Sequence, residues 1–200
     1  MAIFVFVLRA FLALDLEDEL RRHALALIDA LRGERLPRVR WVTHATMHVT
    51  LRFLGDTSEE LVPALTSLVM QTGAMSKNAL EVRTTSLLAF PNPRRARVLA
   101  LHLDDDGGIA ALAAALEGGL AALGVPPPAE PRAFRPHLTL GRFKEPADLR
   151  RLFAARSLPM AGGRLAALTL YKSELGPETA VHTPLARLAF GDASSFSGPP

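Results

Sequence analysis

Two stretches decide how this chain is read: His48-Val49-Thr50-Leu51 and His137-Leu138-Thr139-Leu140. They spell nearly the same four residues 89 positions apart, in a chain with only 6 histidines, and shuffling accounts poorly for such a pair. In an extended strand, residues i and i+2 point the same way, about 6.5 to 7 Å apart. Each histidine and its threonine can therefore touch one phosphate group. The apolar residues between them point to the opposite face and anchor each polar pair on a rigid element.

Working outward from the first copy, residues 47–54 alternate. The pattern predicts a half-buried strand with Val49, Leu51 and Phe53 on the core side and His48, Thr50 and Arg52 toward solvent. Upstream, Arg9-Ala10-Phe11-Leu12-Ala13-Leu14 reads as a buried opening strand. Apolar residues at spacings of three and four then mark a helix over 16–31, closed by Gly33. Downstream, the strand stops at Gly55, and Glu59 and Glu60 open a helix over 58–75. Strands over 80–88 and 97–103 form a hairpin whose turn, Phe90-Pro91-Asn92-Pro93-Arg94-Arg95, makes a basic tip. An alanine-rich helix follows over 109–123, ended by Gly124 and Pro126.

The second copy sits on a strand over 136–143, followed by a short helix over 147–154 and strands over 164–173 and 181–190. The order resembles that of the first half. The expected architecture is α+β, a bilobal pseudo-twofold duplication: two antiparallel sheets flanked by helices, with the active-site cleft between them. All 200 residues are read as one two-lobed domain, residues 1–8 as an N-terminal extension and 192–200, rich in Ser, Gly and Pro, as a disordered tail.

Composition narrows the chemistry. Without cysteine there is no disulfide scaffold, thiolate nucleophile, iron-sulfur cluster or cysteine zinc site. The apolar start is too short to span a bilayer and lacks the basic residue that precedes a signal peptide's apolar run, so a cytoplasmic protein without membrane contact, and a monomer, is expected. Of 23 basic residues only Lys77, Lys144 and Lys172 are lysine. Arginine's planar fork suits phosphate recognition, although a GC-rich genome accounts equally well for most of the arginines.

Two imidazoles facing each other supply a general base and a general acid near neutral pH, one taking a proton from water and the other giving one to the leaving oxygen. Thr50 and Thr139 would donate to nonbridging phosphate oxygens, where charge grows in the transition state. A cation should complete the site. Arg52 shares the face of His48 by alternation, whereas Arg142 needs a bulge at Gly141 to turn it toward His137, and the pattern alone does not rank them. His23, His102 and His182 lack a motif and read as ordinary surface or core residues. His44 and His48 have no third ligand beside them, and Asp104-Asp105-Asp106 reads as a solvated turn and helix cap. No metal and no cofactor is expected.

These residues resemble the 2H phosphoesterases, and within them the bacterial and archaeal RNA 2',3'-cyclic phosphodiesterases also called 2'-5' RNA ligases. The resemblance runs from Arg9 to about Phe190. Its most specific stretches are Arg40-Trp41-Val42 with Met47 to Gly55, and Phe134-Arg135-Pro136-His137-Leu138-Thr139-Leu140-Gly141-Arg142. It implies catalytic His48 and His137, and phosphate binding by Thr50, Thr139 and Arg142, with Arg52 left as an additional substrate contact. It also implies metal-free opening of a 2',3'-cyclic phosphate to a 2'-phosphate, with His137 as base and His48 as acid. The implied substrates are RNA ends or cyclic nucleotides, tRNA fragments among them. His182 stands where the family leads one to expect a tyrosine, and Phe90 and Tyr171 are base-stacking candidates for which core packing is the plainer role. Two other functions compete: ATP-independent 2'-5' ligation of tRNA halves, and a noncatalytic module that holds RNA ends.

Overall fold

A computed structural model describes residues 7–128, 134–155, 161–176 and 180–191, so the expected tail and residues 1–6 of the expected extension lie outside the described residues. Strand β1 (Val7–Leu16) leads into helix α1 (Asp18–Arg32), which buries Leu20, Ala24, Leu27, Ile28 and Leu31 and carries Asp18 and Glu19 in its first turn. Short β2 (Val39–Trp41) and a 3-10 turn (His44–Thr46) precede β3 (Val49–Ser58). A second 3-10 turn (Glu59–Leu61) opens α2 (Val62–Gly73). Then come β4 (Leu80–Phe90), β5 (Ala96–Asp104), α3 (Gly108–Ala122), β6 (His137–Ala147), α4 (Arg150–Ala155), β7 (Ala161–Leu175) and β8 (Ala180–Ala189).

The described strands pair antiparallel in two groups of four, β3-β1-β7-β8 and β2-β6-β5-β4. Leu80–Thr84 of β4 pairs with Ala161–Leu165 of β7, which joins the groups into one eight-stranded sheet instead of the two separate sheets expected. The α+β class stands. Each group contains one motif strand beside a strongly buried partner: β3 beside β1, and β6 beside β5. Leu12, Leu14, Val49, Leu101, Leu138 and Leu140 are buried in a single apolar cluster with helix residues such as Leu20, Leu65 and Leu116. Burying each such leucine contributes about 1.5–3 kcal/mol, so both motif strands are pinned from the face opposite their histidines.

Several boundaries differ from the sequence reading: β6 runs on to Ala147, where the short helix was expected to begin, and that helix starts at Arg150. Val7 and Leu8 are not an appendage but the start of β1, paired with Ser58 and Thr57. Nor does Gly55 end β3. It takes a positive φ of 70° beside a register shift, and the strand bends and continues to Ser58. Asp105 caps α3, its carboxylate accepting from the Ile109 amide at 2.8 Å.

Candidate active site

The histidines are held in the same way. His137 Nδ1 donates to the Arg135 carbonyl, two residues upstream, at 2.7 Å. His48 is hydrogen-bonded to the carbonyl of Thr46, also two residues upstream, and its Nε2 lies 3.1 Å from Thr50 Oγ1. The bond of His137 Nδ1–H to the backbone selects the tautomer whose Nε2 carries a lone pair.

The strands aim the remaining groups through their register. On β6, His137 pairs with His102 and Thr139 with Ala100; the ladder then slips past Leu140, so that Gly141 pairs with Leu99 and Arg142 with Val98. The slip places Arg142 on the same face as His137 and Thr139, as the sequence allowed. On β3 the same slip has the opposite consequence for Arg52. Thr50 pairs with Ala13 and Arg52 with Leu12, neighbours that point to opposite faces.

Arg52 therefore leaves the site. It is buried, donates to the Pro126 carbonyl at 2.5 Å and lies 3.4 Å from Glu117. This corrects both its expected solvent exposure and its role as a substrate contact. Phe53 is corrected too: it is 62% exposed, shares the face of Thr50 by register, and sets its ring 5.9 Å from that of Phe11.

Strands β3 and β6 approach one another. Between them lies a cavity of about 130 Å³ lined by His48, Thr139, Arg142, Arg40, Trp41 and His182. His48, Thr139 and Arg142 from the two motifs are thus brought together, with Thr50 bonded to His48. The charge of Arg142 acts on both His48 and His137. Burial, then His182 and Arg142, push His48 down to about 4 against the opposing pull of the Thr46 carbonyl and Asp15. His137 is lowered chiefly by burial, with Arg142, Arg135 and His102 adding to it and the Arg135 carbonyl opposing. At pH 7 both motif imidazoles are therefore neutral and feel the charge of one arginine: a site short of negative charge.

The sequence matches the 2'-5' RNA ligase superfamily over residues 16–177. The chain belongs to that superfamily. It is 30% identical over 179 residues to the RNA 2',3'-cyclic phosphodiesterase of Methanothermobacter thermautotrophicus, covering 88% of this chain and 95% of that protein. It is 30% identical over 189 residues to the protein of the same name from Thermus thermophilus, covering 91% and 90%. Of solved structures, TT0787 of Thermus thermophilus aligns with a TM-score of 0.72 at 26% identity, over 92% of this chain and 99% of that one. Apo LigT of E. coli aligns at 0.66 and 25%, over 92% and 97%. The 2H phosphoesterase family read from the paired motifs is thereby shown.

In this superfamily member three further groups shape the cleft. His182, read from sequence as ordinary, lines the cavity from β8, its ring 5.3 Å from His48 and 4.9 Å from Phe11, edge-on to both. Asp15 receives Tyr171 Oη at 2.7 Å, Thr169 Oγ1 at 3.0 Å and Arg187 Nε at 2.9 Å. The Tyr171 ring stacks on Phe11 at 5.2 Å, so this stacking candidate is committed to packing. Phe90 lies 4.8 Å from His137. Finally, Arg21 of α1 donates to the carbonyls of His44 at 2.6 Å, Met47 at 3.2 Å and Leu16 at 3.2 Å, fixing the turn that delivers His48. No local pattern announces Arg21 or Asp15. For His182 the one signal was the departure from the family's expected tyrosine.

Proposed function

We propose that the protein hydrolyses RNA 2',3'-cyclic phosphate ends to 2'-phosphomonoesters, using His48 and His137 as the acid/base pair and no metal. The observation that carries this is the convergence of His48, Thr139 and Arg142 on one cavity, together with relatives named RNA 2',3'-cyclic phosphodiesterase. Water attacks phosphorus, one imidazole takes its proton, the bond from phosphorus to O3' breaks, and the other imidazole protonates O3'. Thr50, Thr139 and Arg142 hold the nonbridging oxygens as their charge grows.

The sequence reading makes His137 the base and His48 the acid. That order requires His48 to gain its proton with the substrate, because its surroundings otherwise keep it neutral at pH 7. A phosphate anion provides the means: it offsets Arg142 and His182, two of the charges that lower His48. NMR titration of the histidine Cε1–H signals with inorganic phosphate should move His48 upward. If His137 rises and His48 does not, the roles are exchanged.

The deciding assay is turnover of 2',3'-cyclic AMP. Formation of 2'-AMP, undiminished by EDTA and lost in His48→Ala and in His137→Ala, is expected. A 3'-phosphate product, or activity retained by either variant, overturns the mechanism. The superfamily match also favours a second reading, ATP-independent joining of a cyclic phosphate to a 5'-hydroxyl, which uses the same proton transfers with the 5'-hydroxyl attacking in place of water. Incubation with tRNA halves separates joined from merely opened ends.

A further inference from the structure

The site described above accounts for one phosphate, but the positive charge does not stop there. Residues 134–144 and 90–97 contain Arg135, Arg142, Lys144, Arg94, Arg95 and Arg97 and not one carboxylate. On β6, Arg142 and Lys144 are exposed on either side of buried Phe143, so they share a face. Arg97 of β5 reaches across, its guanidinium donating to the Lys144 carbonyl at 2.8 Å. The hairpin tip between β4 and β5 then adds Arg94 and Arg95, both exposed.

This tip is shaped. Asn92 Oδ1 accepts from the amides of Arg94 at 3.1 Å and Arg95 at 3.2 Å, and the Pro93 carbonyl accepts from the Leu149 amide at 2.7 Å. Acidic residues resume at Glu145 and Asp148, and Asp148 is already gripped by Arg150, with bonds of 2.6 to 3.1 Å. Among the described residues no carboxylate forms an ion pair with any of the six basic side chains. A row of cations with no carboxylate at ion-pair distance, of which only Arg94 acts on an acid, Asp148, leading away from a phosphate site with the Phe90 ring against His137, is how proteins follow a single-stranded nucleic acid backbone.

We propose that the stripe running from Arg142 through Lys144 and Arg97 to Arg94 and Arg95 binds the phosphodiesters of the RNA strand on the 5' side of its terminal nucleotide. The inference rests on the reading of the cleft as an RNA-end site and adds to it a direction for the strand and a preference for polynucleotides over mononucleotides. Each cation releases counterions on binding, so affinity should fall with salt by a slope of about 0.7 per phosphate neutralised.

The test pairs two measurements on the full chain: binding of a fluorescent oligoribonucleotide ending in a 2'-phosphate, and turnover of 2',3'-cyclic AMP. The double variant Arg94→Glu/Arg95→Glu should weaken oligonucleotide binding by about tenfold or more and flatten its salt slope by about 1.4, because two phosphates are no longer neutralised. Turnover of the mononucleotide should stay within twofold, and Arg94→Lys/Arg95→Lys should restore binding. Unchanged binding and slope, or parallel loss on both substrates, overturns the stripe. If the wild-type protein fails to turn over the mononucleotide, the hydrolytic reading falls, while the binding comparison still decides the stripe.

Discussion

Strands β3 and β6 begin alike and diverge after the fourth motif residue. Both carry His-x-Thr-Leu on a buried-face anchor, both hold the histidine by the carbonyl two residues upstream, and both slip register at the leucine. After the slip, β3 continues Arg52-Phe53 and β6 continues Gly141-Arg142. In each strand the first residue turns from the cleft and the second faces it, so Phe53 occupies in β3 the place that Arg142 occupies in β6. One half contributes an aromatic surface and the other the cation. The motif residues are therefore alike in the two strands, while a cation on one and an aromatic ring on the other sit one bulge further along.

The strongest way to break this comparison is to remove each histidine in turn. If the copies are functionally equivalent partners, His48→Ala and His137→Ala should each cut kcat/KM for 2',3'-cyclic AMP by about 10²–10⁴, and the double variant should be scarcely worse than either single one, because a base without its acid already fails. A tenfold loss in one and total loss in the other would show that only one copy does proton transfer.

The two arginines sharpen it next. Arg142→Ala should lower kcat/KM by about 10²–10³, as expected for the loss of a preorganised partner of the developing charge, with little change in melting temperature. Arg52→Ala should do the reverse. It strands the Pro126 carbonyl and Glu117 from a buried guanidinium, a loss of about 1–3 kcal/mol, while kcat/KM stays within a few-fold. Equal kinetic damage from both would return Arg52 to the site and contradict its placement.

These two residues also show what could and could not be read from the chain. His48, Thr50, His137 and Thr139 obey simple alternation, a local rule, and their faces were predictable. Arg142 was reachable because Gly141 offered a local reason for a bulge. Nothing at Leu51 does so; the slip on β3 is set by pairing with Leu12 and Ala13, nearly 40 residues upstream, and it carries Arg52 and Phe53 to the faces opposite those predicted. The cleft's remaining walls arrive by long-range routes of the same kind. His182 is delivered by β8, and Asp15 gathers partners from β7 and β8. Joining of the two strand groups through β4 and β7 likewise depends on a pairing that no motif marks.

Burial distinguishes the copies in stability as well. His48 binds its proton less readily when folded, at about 4 against 6.5 for an unperturbed histidine. Its contribution is therefore intact above 6.5 and is lost as pH falls through that value toward 4, where the unfolded chain takes up the proton and the folded one resists it. Between pH 7 and 4.5 the loss is on the order of 2 kcal/mol. Urea denaturation at the two pH values should show it in the wild type and show less of it in His48→Gln. An identical decline in both would mean that His48 is not kept neutral by its surroundings.

The smallest expected effect comes from His182, which stands beside His48 on β8, whereas the histidine beside His137 is His102 on the paired strand β5. The His182 ring packs edge-on against Phe11 and His48, and its charge is one of the causes of the low His48 value. His182→Gln removes that charge and keeps a polar side chain of similar reach. His48 should then hold its proton more readily, its NMR titration and the limb of kcat/KM that it governs both moving to higher pH, while kcat at pH 7 changes by less than about tenfold. His182→Tyr should give the same upward movement, since it too removes the cation. If the limb stays put in both variants, His182 serves only to pack against Phe11, and the electrostatic difference between the two motifs must lie in burial alone.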